Sequence, residues 1–370
     1  MHHNARGLLI AACLLAGGAG ARLSAQTAPK NNTQYGTSGG QFLLLGAGAR
    51  GAALGGTFAA VATSDASALY YNPAGIAMMS RPGLLIGTYD YVSGTRYSWA
   101  GLAFPFSGGS SAIGLQVGTF GFKDQPIYTI DQPDGTGATY SVSETFIGLT
   151  FAKNFSDRFS AGITAKGIND QLASVKGQAF AVDFGTHYHA KLGGRPIQFS
   201  FTLANLGSNL GYSGSGLAVG VVRDTSTGGP TQDPQPAEVT TKAFPLPTTF
   251  SIALAYDAIH AKSNNLTLLG GFNQPRDNSA GFAFGMEWGF PALGGSKFNA
   301  AVRGSYSYAP ANNIDVTLPT ALNDEENLQG SAFGGGLGYN SDKFRIGLDY
   351  AYRYMGVLGG TNFFSVSLGW

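Results

Sequence analysis

The last ten residues constrain this chain more than any other stretch. Thr361 to Trp370 (TNFFSVSLGW) places Phe364, Val366, Leu368 and Trp370 on one face of an extended strand and Phe363, Ser365, Ser367 and Gly369 on the other. The same period of two recurs from Gly83 onward in fourteen segments, near 83–92, 95–106, 110–121, 141–153, 158–170, 174–190, 195–204, 247–258, 263–273, 278–290, 296–308, 329–339, 343–354 and 361–370. Some are clean: Phe282, Phe284, Met286, Trp288 and Phe290 oppose Gly281, Ala283, Gly285, Glu287 and Gly289. The segments near 95–106 and 110–121 are ambiguous.

Alternation does not say which face is the core, but bulk does. One face carries large aromatics; the other carries Gly, Ser, Asn and isolated charges, too small to fill a soluble core but suited to a lumen. Each run is about the length a tilted strand needs to cross a bilayer. Lipid cannot satisfy an open sheet edge, so the sheet must close. The sequence therefore predicts an all-β, single 14-stranded antiparallel transmembrane barrel, with the amphipathic strand ending on Trp370 as its closing strand. Charged residues make up only 12% of the chain, too few to coat a soluble β protein of this size.

The N-terminus reads as an export signal: Arg6, an apolar stretch over Gly7 to Gly20, and cleavage after Ala21 or Ala25. The only cysteine, Cys13, lies within it, where Ile10-Ala11-Ala12-Cys13 loosely mimics a lipoprotein box. The expected organisation is signal peptide 1–25, an N-terminal, partly helical hatch segment 26–82, and barrel 83–370. The net charge of +1 gives no electrostatic case for nucleic acid as a partner.

The connections are asymmetric. The long ones, 122–140, 205–246 and 309–328, fall on one side if the N-terminus is periplasmic, and turn-like ones such as 154–157, 190–194 and 340–342 fall on the other. Short periplasmic turns and long extracellular loops are expected of such barrels. Trp288, Phe290 and Trp370 then mark the periplasmic interface, and Tyr306, Tyr308, Tyr352 and Tyr354 the outer one.

The segment before the barrel reads differently. Gly46-x-Gly48-x-x-Gly51 matches a dinucleotide fingerprint in isolation, but no βαβ alternation follows. Phe42 to Leu45, Gly48-Ala49-Arg50, Ala53-Leu54-Gly55-Gly56, Asp65-Ala66-x-Ala68 and Asn72-Pro73-Ala74-Gly75 together resemble the N-terminal signature of the PorV/PorQ family, within the FadL-like group of outer-membrane barrels. Ser64 stands before Asp65, where that family often carries a second acid. The resemblance implies a 14-stranded barrel whose N-terminal segment enters the lumen as a hatch. The hatch motif is then Arg50, Gly55, Gly56, Asp65, Asn72, Pro73, Ala74 and Gly75. Asn72 is suited to a turn, and Asp65 either caps the helical stretch after it or pairs with Arg50.

On the lumen face, Lys166, Asp183, Glu287, Arg303, Arg345, Asp349 and Arg353 form either cross-strand ion-pair ladders or a selectivity lining. His187 and His189 share a face at a spacing that can chelate a metal, but no third ligand is identifiable, so no metal site is assigned. No catalytic constellation stands out, so the chain reads as neither an enzyme nor a cofactor carrier. Loop 205–246, with Leu206, Leu210, Tyr212, Leu217 and Val219 as a candidate apolar groove, reads as an irregular flap open to partner contact.

Three functional readings follow. Resemblance to PorV implies an accessory component of protein secretion to the cell surface, with secretion-machinery proteins or exported cargo as partners. The FadL-like group implies passive passage of hydrophobic small molecules. A structural membrane role is the third. All three share outer-membrane lipid as a partner.

Overall fold

The computed structural model describes residues 34, 36–63, 65–222, 235–308 and 330–370. The signal sequence with Cys13, Ser64, the centre of loop 205–246 and the connection 309–328 lie outside the described residues.

Alternating sequence becomes alternating exposure. Strands β1 (Gly83–Asp90), β2 (Arg96–Phe106), β3 (Ser111–Pro126), β4 (Thr139–Ser156), β5 (Phe159–Leu172), β6 (Val175–Leu192) and β7 (Arg195–Gly207) form the first half of the wall. Three short strands follow: β8 (Gly211–Gly214), β9 (Ala218–Val221) and β10 (Gln235–Glu238). The second half comprises β11 (Thr249–His260), β12 (Asn265–Pro275), β13 (Gly281–Phe290), β14 (Phe298–Tyr308), β15 (Ser331–Asn340), β16 (Arg345–Tyr354) and β17 (Gly360–Gly369). Neighbours in sequence pair antiparallel, β7 pairs with β11, and β1 pairs with β17 from Gly83↔Gly369 to Thr88↔Phe364, closing a 14-stranded barrel. On β17, Phe364 is 57% exposed on the outer face while Phe363 is 2% exposed on the inner one. With the short turns periplasmic, the three long connections share the opposite, extracellular end.

Two details depart from the reading above. Loop 205–246 is not simply a flap: β8 adds to the extracellular end of β6, and Leu210 and Leu246 are buried beneath it. The β6–β7 register also shifts between Val182 and Phe184, with Asn205 opposite at a positive φ of 59°. β7 stays paired with β6 past that bulge, through Leu206 and Gly207, and ends there, so the β6 edge at Val175–Gln178 is left for β8.

The second departure concerns the lumen. On the β12–β16 arc the inner face is small or charged, as at Gly271, Ala283, Gly285, Gly334 and Gly336. On the β1–β5 arc and β17 the inner face carries Leu85, Tyr89, Tyr97, Trp99, Phe146, Ile168 and Phe363, all buried. They pack against the hatch chain beside small and polar inward residues such as Gly162, Thr164 and Lys166, and on β2 both faces are apolar, one toward lipid and one toward the hatch.

The hatch descends through the lumen. At the extracellular mouth the Gly39 amide donates to the Pro245 carbonyl (3.0 Å) and Gln41 Nε2 to Asp277 Oδ2 (2.6 Å). Short helical pieces follow at Gln41–Leu44, Ala49–Leu54, Gly55–Ala60, Ala68–Tyr71 and Pro73–Met78. Near the periplasmic end Asn154 Nδ2 donates to the Ala77 carbonyl (2.8 Å), and the chain then enters β1. Phe42, Leu43, Leu54, Phe58, Leu69 and Ile76 form the apolar core of barrel and hatch together.

Candidate functional site

The Asn72-Pro73-Ala74-Gly75 turn seats the lower hatch on the wall. Asn72 is fully buried; its Oδ1 accepts from the Ala74 amide (3.2 Å), and its Nδ2 donates to the carbonyls of Thr186 (3.1 Å) and Ala59 (3.4 Å). The wall beneath is glycine: a Cβ at Gly162 would lie 2.5 Å from the Pro73 carbonyl carbon, and one at Gly185 would collide with the Asn72 side chain. Gly75 has no room either, because its Cβ would strike the Ala62 carbonyl. Side-chain-free wall and side-chain-free hatch allow this close approach.

Above this turn, Tyr70 and Tyr71 tie the hatch to itself. Tyr70 Oη donates to the Leu43 carbonyl (2.7 Å) and accepts from the Gly46 amide (2.8 Å); Tyr71 Oη accepts from the Ala47 amide (3.0 Å). Burial pushes both phenols above their usual range, so they act as neutral hydrogen-bonding groups. A Cβ at Gly51 would overlap the Tyr71 ring, and Gly48, at φ 76°, sits against Gly87 of the wall. The glycines of the fingerprint-like segment thus serve close packing. Trp99 Nε1 donates to Gln116 Oε1 (3.2 Å), whose Nε2 donates to the Leu69 carbonyl (2.7 Å), a second link between wall and hatch.

The helix Ala49–Leu54 carries the ionic link. Arg50 grips Glu287 with two bonds, Nε to Oε2 (2.9 Å) and Nη2 to Oε1 (2.8 Å), and reaches Asp65 at 3.4 Å. Glu287 also meets Arg303 of the neighbouring strand (2.5 Å), and Arg303 reaches across β15 to Asp349 (2.5 Å). That span is possible because Gly336 stands between them: a Cβ there would collide with Asp349 and lie 2.8 Å from Arg303 Nη1. A bidentate arginine–carboxylate contact is strong and geometrically specific. Asp65 also accepts from the Ser67 amide (2.8 Å), a turn bond just before the helix Ala68–Tyr71, whose own N-cap residue is Ser67 and has no side-chain cap. Gly55 and Gly56 end the helix against β12–β14, where a Cβ on Gly56 would overlap the Asn273 side chain.

The remaining lumen charges do not join this cluster. Lys166 pairs with Asp183 (2.6 Å) and donates to Asn205 Oδ1 (2.8 Å), both groups almost wholly buried at the β6–β7 bulge. Arg345 lies in the periplasmic vestibule and Arg353 high in the lumen. His187 Nε2 bonds to the Ala60 carbonyl (2.9 Å), and its ring centroid lies 6.3 Å from that of His189. Among the described residues no three metal-ligating groups gather.

Cavities flank the hatch. Two open on the extracellular side, of about 330 Å³ and about 340 Å³. The first is lined by Phe42, Leu44, Leu45, Tyr91, Phe120 and Phe363, with Glu144 and Arg353 at its polar edge. The second reaches the hatch at Gly51 and Ala52, and the two share Leu44, Leu45 and Arg353. On the periplasmic side a vestibule of about 220 Å³ begins at Arg50. The helix Ala49–Leu54 therefore partitions the lumen, with its ionic face toward the periplasm. Sequence reasoning missed the two tyrosines, Gln116, Trp99 and the glycine landing pads; adjacent Tyr70-Tyr71 before the Asn-Pro turn was the available signal.

No protein-family model matches the chain, nor does any curated protein sequence. Solved structures do match in fold. The chain superimposes on the CymD monoaromatic hydrocarbon channel with a TM-score of 0.52 at 11% identity, covering 88% of this chain and 97% of that one. A deltaS2 mutant of the TodX monoaromatic hydrocarbon channel gives 0.53 at 12% identity, covering 88% and 98%. The Pseudomonas putida toluene transporter TodX gives 0.50 at 11%, covering 88% and 97%. At such identities the likeness is one of fold. The chain is a bacterial outer-membrane β-barrel with a lumenal hatch. Its fold is the one shared with these channels.

Proposed function

We propose that the barrel passes small hydrophobic molecules across the outer membrane and that the hatch closes the route. The observation that carries this reading is the aromatic and aliphatic cavity at the extracellular mouth, which adjoins, through Leu44 and Leu45, a second cavity ending on the hatch helix. Its volume of about 330 Å³ falls at the lower end of typical ligand pockets. That suits a single aromatic ring or short hydrocarbon. The shared fold with two proteins described as hydrocarbon or toluene channels supports the same direction.

The test is uptake of labelled toluene by cells carrying the intact barrel, its Leu44→Glu variant or no barrel. The reading expects uptake to rise with the intact barrel and to fall roughly tenfold when a charge divides the two cavities. Equal uptake in all three strains refutes it.

The secretion reading rests on the N-terminal signature alone. The apolar groove proposed for it is not assembled: Leu210 is buried, and Tyr212 Oη donates to Asp170 Oδ2 (2.5 Å). Co-purification of secretion partners or cargo with the barrel would restore that reading.

A further inference from the structure

The periplasmic rim is basic, turn by turn. Lys153 and Arg158 flank the β4–β5 turn against one acid, Asp157, and Lys191 and Arg195 flank the β6–β7 turn with none. Lys262 lies in the β11–β12 turn and Lys297 in the β13–β14 connection. At the β15–β16 turn Lys343 and Arg345 outnumber Asp342. Only the β2–β3 turn, Ser107–Ser110, is uncharged. Lys153, Arg158, Lys262 and Lys343 are exposed and have no ion-pair partner among the described residues. Among the described residues two pairs lie in the region: Lys297–Asp342, loose at 3.9 Å, and His260–Asp257 at 3.1 Å, which leaves Lys262 unpaired.

The opposite end shows no such bias. The β3–β4 loop has Asp131 and Asp134 and no cation between 127 and 138, Arg276 is balanced by Asp277, and Glu238 by Lys242. Just inside the basic rim lies a band of outward rings: Phe155, Phe159, Trp288, Phe298, Phe344 and Trp370 are all exposed. Lys153 Nζ sits 5.9 Å from the centroid of the Phe155 ring, placing its ammonium at the boundary between the apolar band and the turns. Aromatics at the headgroup level with lysines reaching past them mark a membrane interface.

From this juxtaposition we propose that the periplasmic collar is a binding surface for anionic glycerophospholipid headgroups of the inner leaflet, with acyl chains against the aromatic band. The occupant follows from charge complementarity: several unpaired cations at headgroup depth attract phosphate diesters bearing net negative charge, and much less so zwitterions.

The test is native mass spectrometry of the full chain in detergent with equal phosphatidylglycerol and phosphatidylcholine. The unaltered protein should retain phosphatidylglycerol over phosphatidylcholine by about tenfold. That preference should collapse above roughly 0.5 M salt, where the screening length falls to a few ångströms. The triple variant K262Q/K297Q/K343Q should reduce it to about threefold or less. An extracellular triple, K123Q/K176Q/K242Q, should leave it unchanged. Heat-modifiable gel mobility checks that both variants fold. Equal retention of the two lipids by the unaltered protein overturns the proposal, and so does an equal loss in both triple variants.

Discussion

Replacing Arg50 with methionine isolates the ionic link from the rest of the hatch. The Arg50 and Glu287 side chains are each 16% exposed. Breaking a fully buried pair costs about 3–5 kcal/mol because a charge is left without a partner. Here Glu287 keeps Arg303, so the loss should be smaller, about 2 kcal/mol, or roughly 30-fold in a local opening equilibrium. Six large apolar side chains hold the same segment, and each contributes about 1.5–3 kcal/mol on burial. Together they outweigh the ionic link several-fold. The hatch should therefore stay in the lumen while the helix Ala49–Leu54 loosens. Amide hydrogen exchange should accelerate roughly 30-fold over that helix and stay unchanged over Ala68–Met78. Acceleration across the whole hatch, or none anywhere, would refute the partition of energies argued here.

Other substitutions probe other contacts. Asn72→Ala removes a buried cap and leaves the Thr186 carbonyl without its donor, at about 1–3 kcal/mol; single-channel recordings should show higher conductance as the lower hatch loosens. Gly336→Ala should separate Arg303 from Asp349 and lower the thermal midpoint, whereas Gly304→Ala, where a Cβ meets its nearest neighbour at 3.7 Å, should be close to neutral. Asp183→Ala strands the buried Lys166 ammonium at a cost of about 3–5 kcal/mol, measurable as a fall in thermal stability in detergent.

The wall was legible because each outward strand face meets one solvent, lipid, and must be apolar, as β13 and β17 show. Legibility failed where the inner face also meets something apolar. Tyr97 and Trp99 on β2 pack against the hatch while Phe104 and Phe106 face out, which erases the alternation. The hatch signature located the residues that touch the wall but not their partners, because contacts such as Arg50–Glu287 join positions far apart in the chain. Loop 205–246 was misread because β8 pairs with β6, and Leu210 with Phe244, through contacts between segments separated in the chain, which leave no periodic trace in the sequence.

The central claim is that the cavity between the Leu44–Leu45 turn and the aromatic arc receives apolar molecules. The direct measurement is a crystal structure of the full chain exposed to bromobenzene, read by the anomalous signal of bromine. The account predicts a peak among Leu44, Phe120 and Phe363. A signal found only on the lipid-facing surface, or none at saturating bromobenzene, contradicts it.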